Sequence, residues 1–368
     1  MNKPFQFAFP AEGVMLMDAA GKPVAEGLEI TCIIDAVPGK KLLLNNKPCV
    51  WAANQYTCSV VLNQFKNILS VIDIETGERE AITVYYLKDA HKKYRFSLDD
   101  NIWFLQNLAK NQNNYKSIFE DPYLTLLKTM HDRYGTKFHV NIYYECPEFG
   151  GFNLTEMPDK FKPEWDYNSD WLRMSFHANA NEPDHPYIHS SFEKMKFEHD
   201  RIKEQILRFA GERAFAGPVL TVHWGDATVE AVRALRSSGI RAVVGSFKYA
   251  SPDGTPIKYY LNAEQCALMN NYGFWYDKQE DMVFFRYGAG GGTQHDPLEK
   301  LHAGYDVFCK ERPLYTFREF CVHEQYFYPH YPRYKPDYYD RFDTAIRWAV
   351  EHGYKPAFVS ELIDFDRL

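Results

Sequence analysis

The chain changes its pattern of apolar and polar positions near residue 93. Before that point, short runs rich in Val, Ile, Leu and Tyr are separated by turn residues such as Pro38-Gly39 and Thr76-Gly77, a pattern typical of antiparallel strands. The runs cover residues 28–35, 41–44, 56–62, 68–74 and 80–87. We therefore predict that residues 1–92 form a small all-β sandwich.

From residue 93 onward, apolar runs of strand length alternate with longer segments of helical period. Such alternation is typical of β/α units, in which helices connect parallel strands. The apolar runs cover residues 94–98, 138–144, 172–176, 219–222, 241–246, 282–286, 318–322 and 356–360. Residues 93–368 are therefore predicted to form a β/α barrel of seven or eight strands.

Capping residues and periodicity place several of the helices. Gly135 follows a predicted helix over residues 123–134, and Asp226 is expected to cap the helix that runs through residue 234. In a predicted helix over 191–213, His199 lies on the apolar stripe, which favours a core position. Two long segments, 146–170 and 323–336, fit neither pattern. The second is crowded with aromatic rings, and either a substrate-facing wall or plain packing would explain it.

Composition narrows the classes of partner. The formal charge is −7 and no dense block of Lys or Arg occurs, which argues against nucleic acid or an anionic membrane as a partner. With no signal-like or membrane-spanning apolar run, and seven cysteines without a Cys-x-x-Cys pair, we expect a cytoplasmic protein with reduced thiols. The aromatic share of 16% is high; most rings would fill the core, and some could stack on sugars.

Polar residues directly follow several of the predicted strands. They are Asp99, Asp100, Glu145, His177, His223 and His323. Because the carboxyl ends of parallel barrel strands meet on one face, where active sites lie, we expect these side chains to converge. Convergence of five separate segments is stronger evidence than any single motif.

The adjacent pair Asp99 and Asp100 has two interpretations. An Asp in front of a helix is commonly its N-cap, which would explain one of the two. Two neighbouring carboxylates repel each other unless a cation lies between them or one binds a proton, so the pair also suggests a metal ligand beside a base. Both side chains can reach the barrel mouth only if the strand ends there.

Three histidines with a carboxylate form a set that zinc, cobalt, nickel or iron accepts, although buried structural histidines remain the alternative. His323-Glu324 begins like a zinc-protease helix motif but has Phe327 where the second His is required. The glycine-rich stretch 288–293 lacks the Lys of a phosphate loop, so we interpret it as a flexible loop and infer no nucleotide.

From about residue 93 to its end, the chain resembles the polysaccharide deacetylases and, more broadly, the glycoside hydrolase/deacetylase barrel superfamily. The resemblance lies in Phe96-Ser97-Leu98-Asp99-Asp100, Phe176-His177 and Cys321-Val322-His323. It implies that Asp99 is the catalytic base, that Asp100 and His177 bind a metal, and that His323 protonates the leaving group. The region before the barrel resembles the immunoglobulin-like modules attached to carbohydrate enzymes.

The sequence departs from that family at the second motif. Asn181 stands where the family has a further metal-binding His, and His185 and His189 have the wrong spacing. We expect His223 to replace the missing ligand. The arginine and aspartate-tryptophan motifs have only Arg286 and residues 275–277 as candidate counterparts.

From these observations we predict that the protein is a hydrolase that acts on a carbohydrate or a related amide or ester. A divalent ion, zinc or else cobalt, nickel or iron, would be held by Asp100, His177 and His223, with Asp99 as base and His323 as proton donor. A metal-independent glycosidase is the first alternative, with Asp99 or Asp100 paired with Glu145, Glu324 or Glu361. A non-catalytic sugar-binding relative is the second.

Overall fold

The computed structural model describes residues 5–148, 150–247, 254–255, 257–287 and 292–368. Its strands are β1 (Phe5–Phe9), β2 (Met15–Leu16), β3 (Lys22–Val24), β4 (Gly27–Ala36), β5 (Leu42–Leu44), β6 (Lys47–Pro48), β7 (Val50–Ala52), β8 (Gln55–Leu62), β9 (Lys66–Asp73), β10 (Arg79–Tyr86), β11 (Lys93–Asn101), β12 (Phe138–Tyr143), β13 (Glu145–Cys146), β14 (Phe152–Asn153), β15 (Leu172–Ala178), β16 (Val219–Leu220), β17 (Ala242–Gly245), β18 (Phe274–Asp277), β19 (Met282–Arg286), β20 (Arg318–His323) and β21 (Lys355–Pro356). Its α-helices are α1 (Trp103–Lys110), α2 (Pro122–Tyr134), α3 (Lys162–Tyr167), α4 (Phe192–Phe209), α5 (Val229–Ser237), α6 (Ala263–Tyr272), α7 (Leu301–Glu311) and α8 (Tyr338–Glu351).

The ten N-terminal strands form two five-stranded sheets. One has the order β1-β4-β8-β7 with β3 beside β4, and the other has the order β2-β10-β9-β5-β6. All five strands predicted in this region are present. Their pairing is antiparallel except between β2 and β10, which run parallel. Buried and exposed residues alternate along β8, because one face of the sheet packs against the core and the other meets solvent.

The N-terminal region is in direct contact with the rest of the chain. Val14 forms an antiparallel bridge with Trp275, whose indole Nε1 donates a hydrogen bond to the Glu12 carbonyl over 2.9 Å. Met15 and Met17 belong to the apolar cluster that also contains side chains of β16, β17 and β19. The two regions therefore share an apolar interface, and the division at residue 92 into two domains stays a prediction.

The remainder is a mixed α/β structure with two parallel sheets. The first has the order β15-β12-β11-β20, with β21 also beside β11, and the second has the order β16-β17-β19-β18, in which β18 alone is antiparallel. Seven of the eight strands predicted after residue 93 are present. The eighth, expected over 356–360, is shortened to β21 and is followed by the 3-10 helix Val359–Glu361. Strands β13 and β14 form a separate two-stranded sheet, and the ladders between the described residues do not join the two larger sheets into one closed barrel.

Capping residues mark the helix ends as expected, except at the start of α5. Asp121 caps α2 by accepting a bond from the Leu124 amide, and Gly135 ends that helix at a φ of 69°. The predicted cap Asp226 is wrong, because Thr228 caps α5 through the Ala231 amide. His199 on α4 is fully buried, as its place on the apolar stripe predicted.

The two segments expected to be irregular carry some structure. Residues 146–170 contain β14, α3 and a 3-10 helix, so that expectation is wrong in part. In residues 323–336, the ring of Tyr328 packs on Trp103 with centroids 5.3 Å apart, which favours packing over a substrate wall. Positions 288–291 of the predicted glycine-rich loop lie outside the described residues. Of the helices in the described ranges, none combines the length and apolar character needed to cross a bilayer.

Strand β11 is buried on both faces, but the faces differ in polarity. Phe96 packs against Phe342 of α8, with ring centroids 4.8 Å apart. The other face belongs to a hydrogen-bonded set of polar side chains: Arg95, Ser97 and Asp99 of β11, His139 and Asn141 of β12, Ser175 of β15 and Glu319 of β20. The apolar core therefore lies between sheet and helices, and the polar face leads to Asp99.

Candidate metal centre and catalytic site

A bulge in β11 places the two adjacent carboxylates at one site. The register with β12 shifts by one residue between Leu98 and Asn101, and Asp100 has a φ of 60°. Both side chains were expected to reach the mouth only if the strand ended at the pair. Strand β11 ends one residue later, at Asn101, and the bulge turns both carboxylates to the same cavity. Neither Asp caps α1, whose N-cap is Ile102.

The Asp100 carboxylate lies at the centre of three histidines. Its Oδ1 is 3.0 Å from Nε2 of His177 and 3.3 Å from Nδ1 of His223, and its Oδ2 is 3.3 Å from Nδ1 of His323. His177 and His223 are themselves 3.1 Å apart, measured from Nε2 to Nδ1. The structure thus brings Asp100, His177 and His223 together as a buried group that could hold a metal ion.

The hydrogen bond on the far side of the His177 ring sets its tautomer. Nδ1 lies 2.7 Å from the backbone carbonyl of Thr221, which can only accept, so Nδ1 carries a proton. In the neutral ring Nε2 is then an acceptor, and it faces another acceptor, the Asp100 oxygen. Two acceptors at this distance require a cation or a second proton between them. The donor set therefore fits a divalent ion, in the arrangement in which a ligating His is oriented by a carbonyl.

Burial alone would raise the pKa of both aspartates, but nearby positive charge prevails, and in the absence of an ion this charge includes the protonated form of the histidines. His177, His323 and Arg95 hold the pKa of Asp99 below its usual range. His323, His177 and His223 hold the pKa of Asp100 well below its usual range. Both carboxyl groups are therefore anionic at neutral pH, as a metal ligand and a proton acceptor must be.

The Asp99 carboxylate is held by four donors. Oδ1 accepts from Ser97 Oγ over 2.9 Å and from Asn141 Nδ2 over 2.6 Å, while Oδ2 accepts from Tyr287 OH over 2.9 Å and from Cys321 Sγ over 3.2 Å. A thiol is a weak donor, so its bond to Oδ2 is the easiest of the four to exchange. Oδ2 is therefore the atom able to accept a proton from a bound water.

His323 differs from the other two histidines in its exposure. Its side chain is 31% exposed, against 3% for His177. The His323 amide donates to Oε1 of Gln294 over 2.9 Å, which fixes the end of β20. With Nδ1 directed to Asp100, the Nε2 atom is the one we assign to a reacting group in the cavity.

Four residues at the site were not predicted from the sequence: Tyr143, Asn141, Tyr287 and Cys321. Tyr143 donates its hydroxyl hydrogen to Asp100 Oδ1 over 2.6 Å. Asn141 and Tyr143 occupy alternate positions of a buried strand, as do Ser97 and Asp99. Polar residues at period two within an apolar strand were the available signal, because period two marks one face.

Three carboxylates considered as glycosidase partners are engaged elsewhere. Glu324 is fully buried and accepts from the backbone amides of Ile102, Trp103 and Phe104 at the start of α1. Glu145 accepts from the side-chain amide of Asn179 over 2.9 Å. Glu361 caps a 3-10 helix and pairs with Lys137.

Asn181 stands at the position where the resemblance to the deacetylases would require a further histidine. Asn181 lies beside the histidines, with its backbone carbonyl 3.3 Å from His223 Nε2 and its Oδ1 accepting from Gln325 over 2.9 Å. His185 pairs with Asp226 over 2.6 Å and stacks on Trp224.

The candidate counterparts of the other two deacetylase motifs lie apart from the carboxylates. Trp275 packs against the N-terminal region, and Asp277 accepts from Tyr260. Arg286 lines the cavity on the side of α7.

The site opens into a cavity of about 720 Å³. Its walls include the three histidines, both aspartates, Arg286, Phe308 and Arg312. A cavity of this size is within the range of small-molecule sites.

Comparisons with known proteins give few matches. No protein-family model matches the sequence, and no curated protein does. Among solved structures, a 4-α-glucanotransferase from Thermococcus litoralis has a TM-score of 0.48 at 14% identity over 74% of this chain. This chain covers 40% of that protein, less than half of its length. A peptidoglycan N-acetylglucosamine deacetylase has a TM-score of 0.37 at 8% identity, over 74% of this chain and 88% of the other.

Proposed function

We propose that the protein is a metal-dependent hydrolase that acts on a carbohydrate or a related amide or ester. Asp100, His177 and His223 would hold the ion, and zinc, cobalt, nickel or iron would suit this mixed nitrogen and oxygen set. One observation carries the proposal. Nε2 of His177 lies 3.0 Å from the Asp100 oxygen, with His223 beside both, in the wall of a large cavity.

A divalent ion supplies Lewis-acid polarisation of a carbonyl and makes water a stronger acid. The protein's own residues handle the protons. Asp99 Oδ2 accepts the proton of the attacking water, whose oxygen bonds to the carbonyl carbon. His323 Nε2 donates a proton to the departing nitrogen or oxygen as its bond to that carbon breaks. The products are a carboxylic acid and an amine or alcohol.

The cavity wall favours a sugar as the substrate. Trp224 lines it beside the histidines and remains 37% exposed, with its ring stacked on His185 at 4.2 Å. Tyr287, Tyr305 and Phe308 contribute further aromatic surface. Flat aromatic faces with a polar edge are the surfaces on which sugar rings stack.

The glycosidase alternative receives less support from the site. It requires two carboxylates that flank the scissile bond about 5–10 Å apart. Asp99 and Asp100 are adjacent residues in one bulge and do not flank a substrate bond. The Glu324 carboxylate accepts hydrogen bonds from backbone amides at the start of α1. The metal-dependent mechanism assigns a role to both aspartates and to all three histidines in the positions that they occupy.

Metal content tests the proposal directly. Purified protein prepared without chelators should carry close to one divalent ion per chain and release acetate from an acetylated sugar. His177→Ala should lose ion and turnover together. His199→Leu is the matched control, because His199 is equally buried but lies on α4, where its Nδ1 bonds Asp200. Protein that binds no zinc, cobalt or nickel even after soaking would overturn the proposal and favour the glycosidase or the sugar-binding reading.

A further inference from the structure

The part of the cavity wall around Phe308 is rich in arginine. Arg286, at the end of β19, has its guanidinium carbon 5.7 Å from the centroid of the Phe308 ring. The corresponding distances for Arg312 and Arg318 are 4.5 Å and 5.5 Å. Three cations thus surround one ring of α7, and Arg286 and Arg312 line the cavity.

Arg286 is buried, and the described residues provide it with no counter-charge. The residue is only 8% exposed, and its Nε and Nη1 atoms have no hydrogen-bond partner among the described residues. Among the ion pairs of the described residues, none includes Arg286 or Arg318, whereas Arg312 pairs with Glu311 over 3.0 Å. Burial and the charge of Arg312 lower the pKa of Arg286 to about 10, so it remains a cation at neutral pH.

An arginine in this state is unusual, because burying an unpaired charge strongly disfavours the folded protein. Arginine cannot relieve that cost by releasing its proton at neutral pH. Asp296 and Glu311 also line the cavity, but no ion pair joins either to Arg286 in the described part of the chain. A ligand that brings its own negative charge would supply the missing partner.

We infer that the cavity binds an oxyanion, a carboxylate or phosphate group, at Arg286. For the substrate, this inference rests on the proposed function. The sugar cleaved beside the histidines would be acidic, a uronic acid derivative or a sugar phosphate, with its charge directed to Arg286 between β19 and α7. Guanidinium groups form charge-assisted hydrogen bonds with both kinds of anion, which accounts for the choice of Arg over an apolar side chain here.

Thermal unfolding of the full chain, in metal-free buffer of constant ionic strength, tests the inference. The probes are methyl glucuronide, inorganic phosphate and neutral methyl glucoside. Methyl glucuronide or phosphate should raise the Tm of the wild type, since a ligand that binds only the folded state stabilises it. Methyl glucoside should raise it less. A response to glucuronide alone identifies a carboxylate as the anion, and a response to phosphate alone identifies a phosphate.

Arg286→Met keeps an unbranched apolar stem and removes the charged guanidinium group. It should weaken anion binding by about tenfold or more, the range expected when a charge-assisted hydrogen bond is lost, while glucoside binding is unchanged. Arg286→Lys should keep part of the anion response. Arg347→Met, at a half-exposed arginine of α8, is the control and should respond like the wild type. If Arg286→Met does not fold, Arg286→Gln takes its place.

The inference is overturned if neither anion shifts the wild-type Tm, or if the variant without the charge shifts as much as the wild type. The assay measures binding without metal or turnover. His177→Ala should therefore retain the anion response, so a failure of the proposed hydrolysis and a failure of the anion site give different results.

Discussion

The hydroxyl group of Tyr143 offers a sharp test of how the metal centre is organised. It donates to Asp100 Oδ1 over 2.6 Å and lies 3.2 Å from His223 Nδ1 and 3.3 Å from Asn181 Oδ1. The ring is fully buried. Tyr143→Phe removes one oxygen and leaves the packing of the ring intact. We therefore expect the variant to fold and its metal site to loosen.

The expected magnitude follows from the charge on Asp100. A hydrogen bond to a charged group contributes about 1.5–3 kcal/mol. Asp100 adopts a φ of 60°, an uncommon conformation for a residue with a Cβ, so its orientation depends on the bonds that its carboxylate makes. Loss of a bond that orients a ligand typically weakens metal affinity about 10- to 100-fold. We expect a weakening in that range for Tyr143→Phe.

Competition with a chromophoric chelator measures the zinc affinity of each variant. Tyr94→Phe is the control, because Tyr94 is an equally buried tyrosine whose hydroxyl bonds Thr136 over 2.9 Å near the start of β11. It should lower stability without changing the affinity for zinc. The reasoning is refuted if Tyr143→Phe binds zinc as tightly as the wild type, or if Tyr94→Phe weakens binding as much.

Three further predictions address the proton donor, a buried cap and the N-terminal region. His323→Ala should keep the ion and lose about 10²- to 10⁴-fold in turnover, with partial rescue by a substrate whose leaving group needs little protonation; release of the ion, seen by elemental analysis, would make His323 a ligand instead. Burial raises the pKa of Asp121 to about 6, so its proton stabilises the folded state at low pH and this contribution is lost as the pH rises from about 4 to about 6. The free energy of unfolding of the wild type relative to Asp121→Asn, from urea titrations, should fall by up to about 3 kcal/mol over that interval, and a constant difference would contradict the assigned pKa. A chain that begins at Lys88 should keep the ion but lose stability or solubility, because Met15, Met17, Tyr85 and Leu87 pack into the cluster beneath β17 and β19; loss of metal from a well-folded shortened chain would show that the N-terminal region contributes to the site.

The sequence was sufficient to predict most strands because their apolar runs are short and bounded by clear turn residues. It failed for β21, since residues 356–360 are as apolar as a strand but turn into a 3-10 helix after two residues. It also missed β18, whose residues Phe274–Asp277 pair with β19 in an antiparallel direction. Pairing partners distant along the chain decide such cases, and an apolar run alone does not specify them.

The candidate ligands were predictable because each lies within three residues of the carboxyl end of a strand. The carboxyl ends of parallel strands lie on the same side of a sheet, so side chains at these ends are expected to meet. For this reason His223 could be proposed as a ligand although Asn181 stands where the deacetylases have a histidine. The bulge at Asp100 could not be predicted, since it arises from the register between β11 and β12. The three hydrogen bonds that Glu324 accepts from backbone amides could not be predicted either, because they depend on where β20 ends relative to the start of α1.

The hydrogen bonds of Glu324 hold together the end of β20 and the start of α1, which are far apart along the chain. Glu324 directly follows His323, and the amides that it binds directly follow Asn101, the last residue of the bulged strand. A shift of α1 would therefore carry the proposed proton donor with the two aspartates rather than away from them. The entropy lost in ordering acid, base and ligand is incurred once, when the chain folds, and not at each catalytic cycle. Any motion that admits the substrate should accordingly come from elements other than the start of α1 and the end of β20.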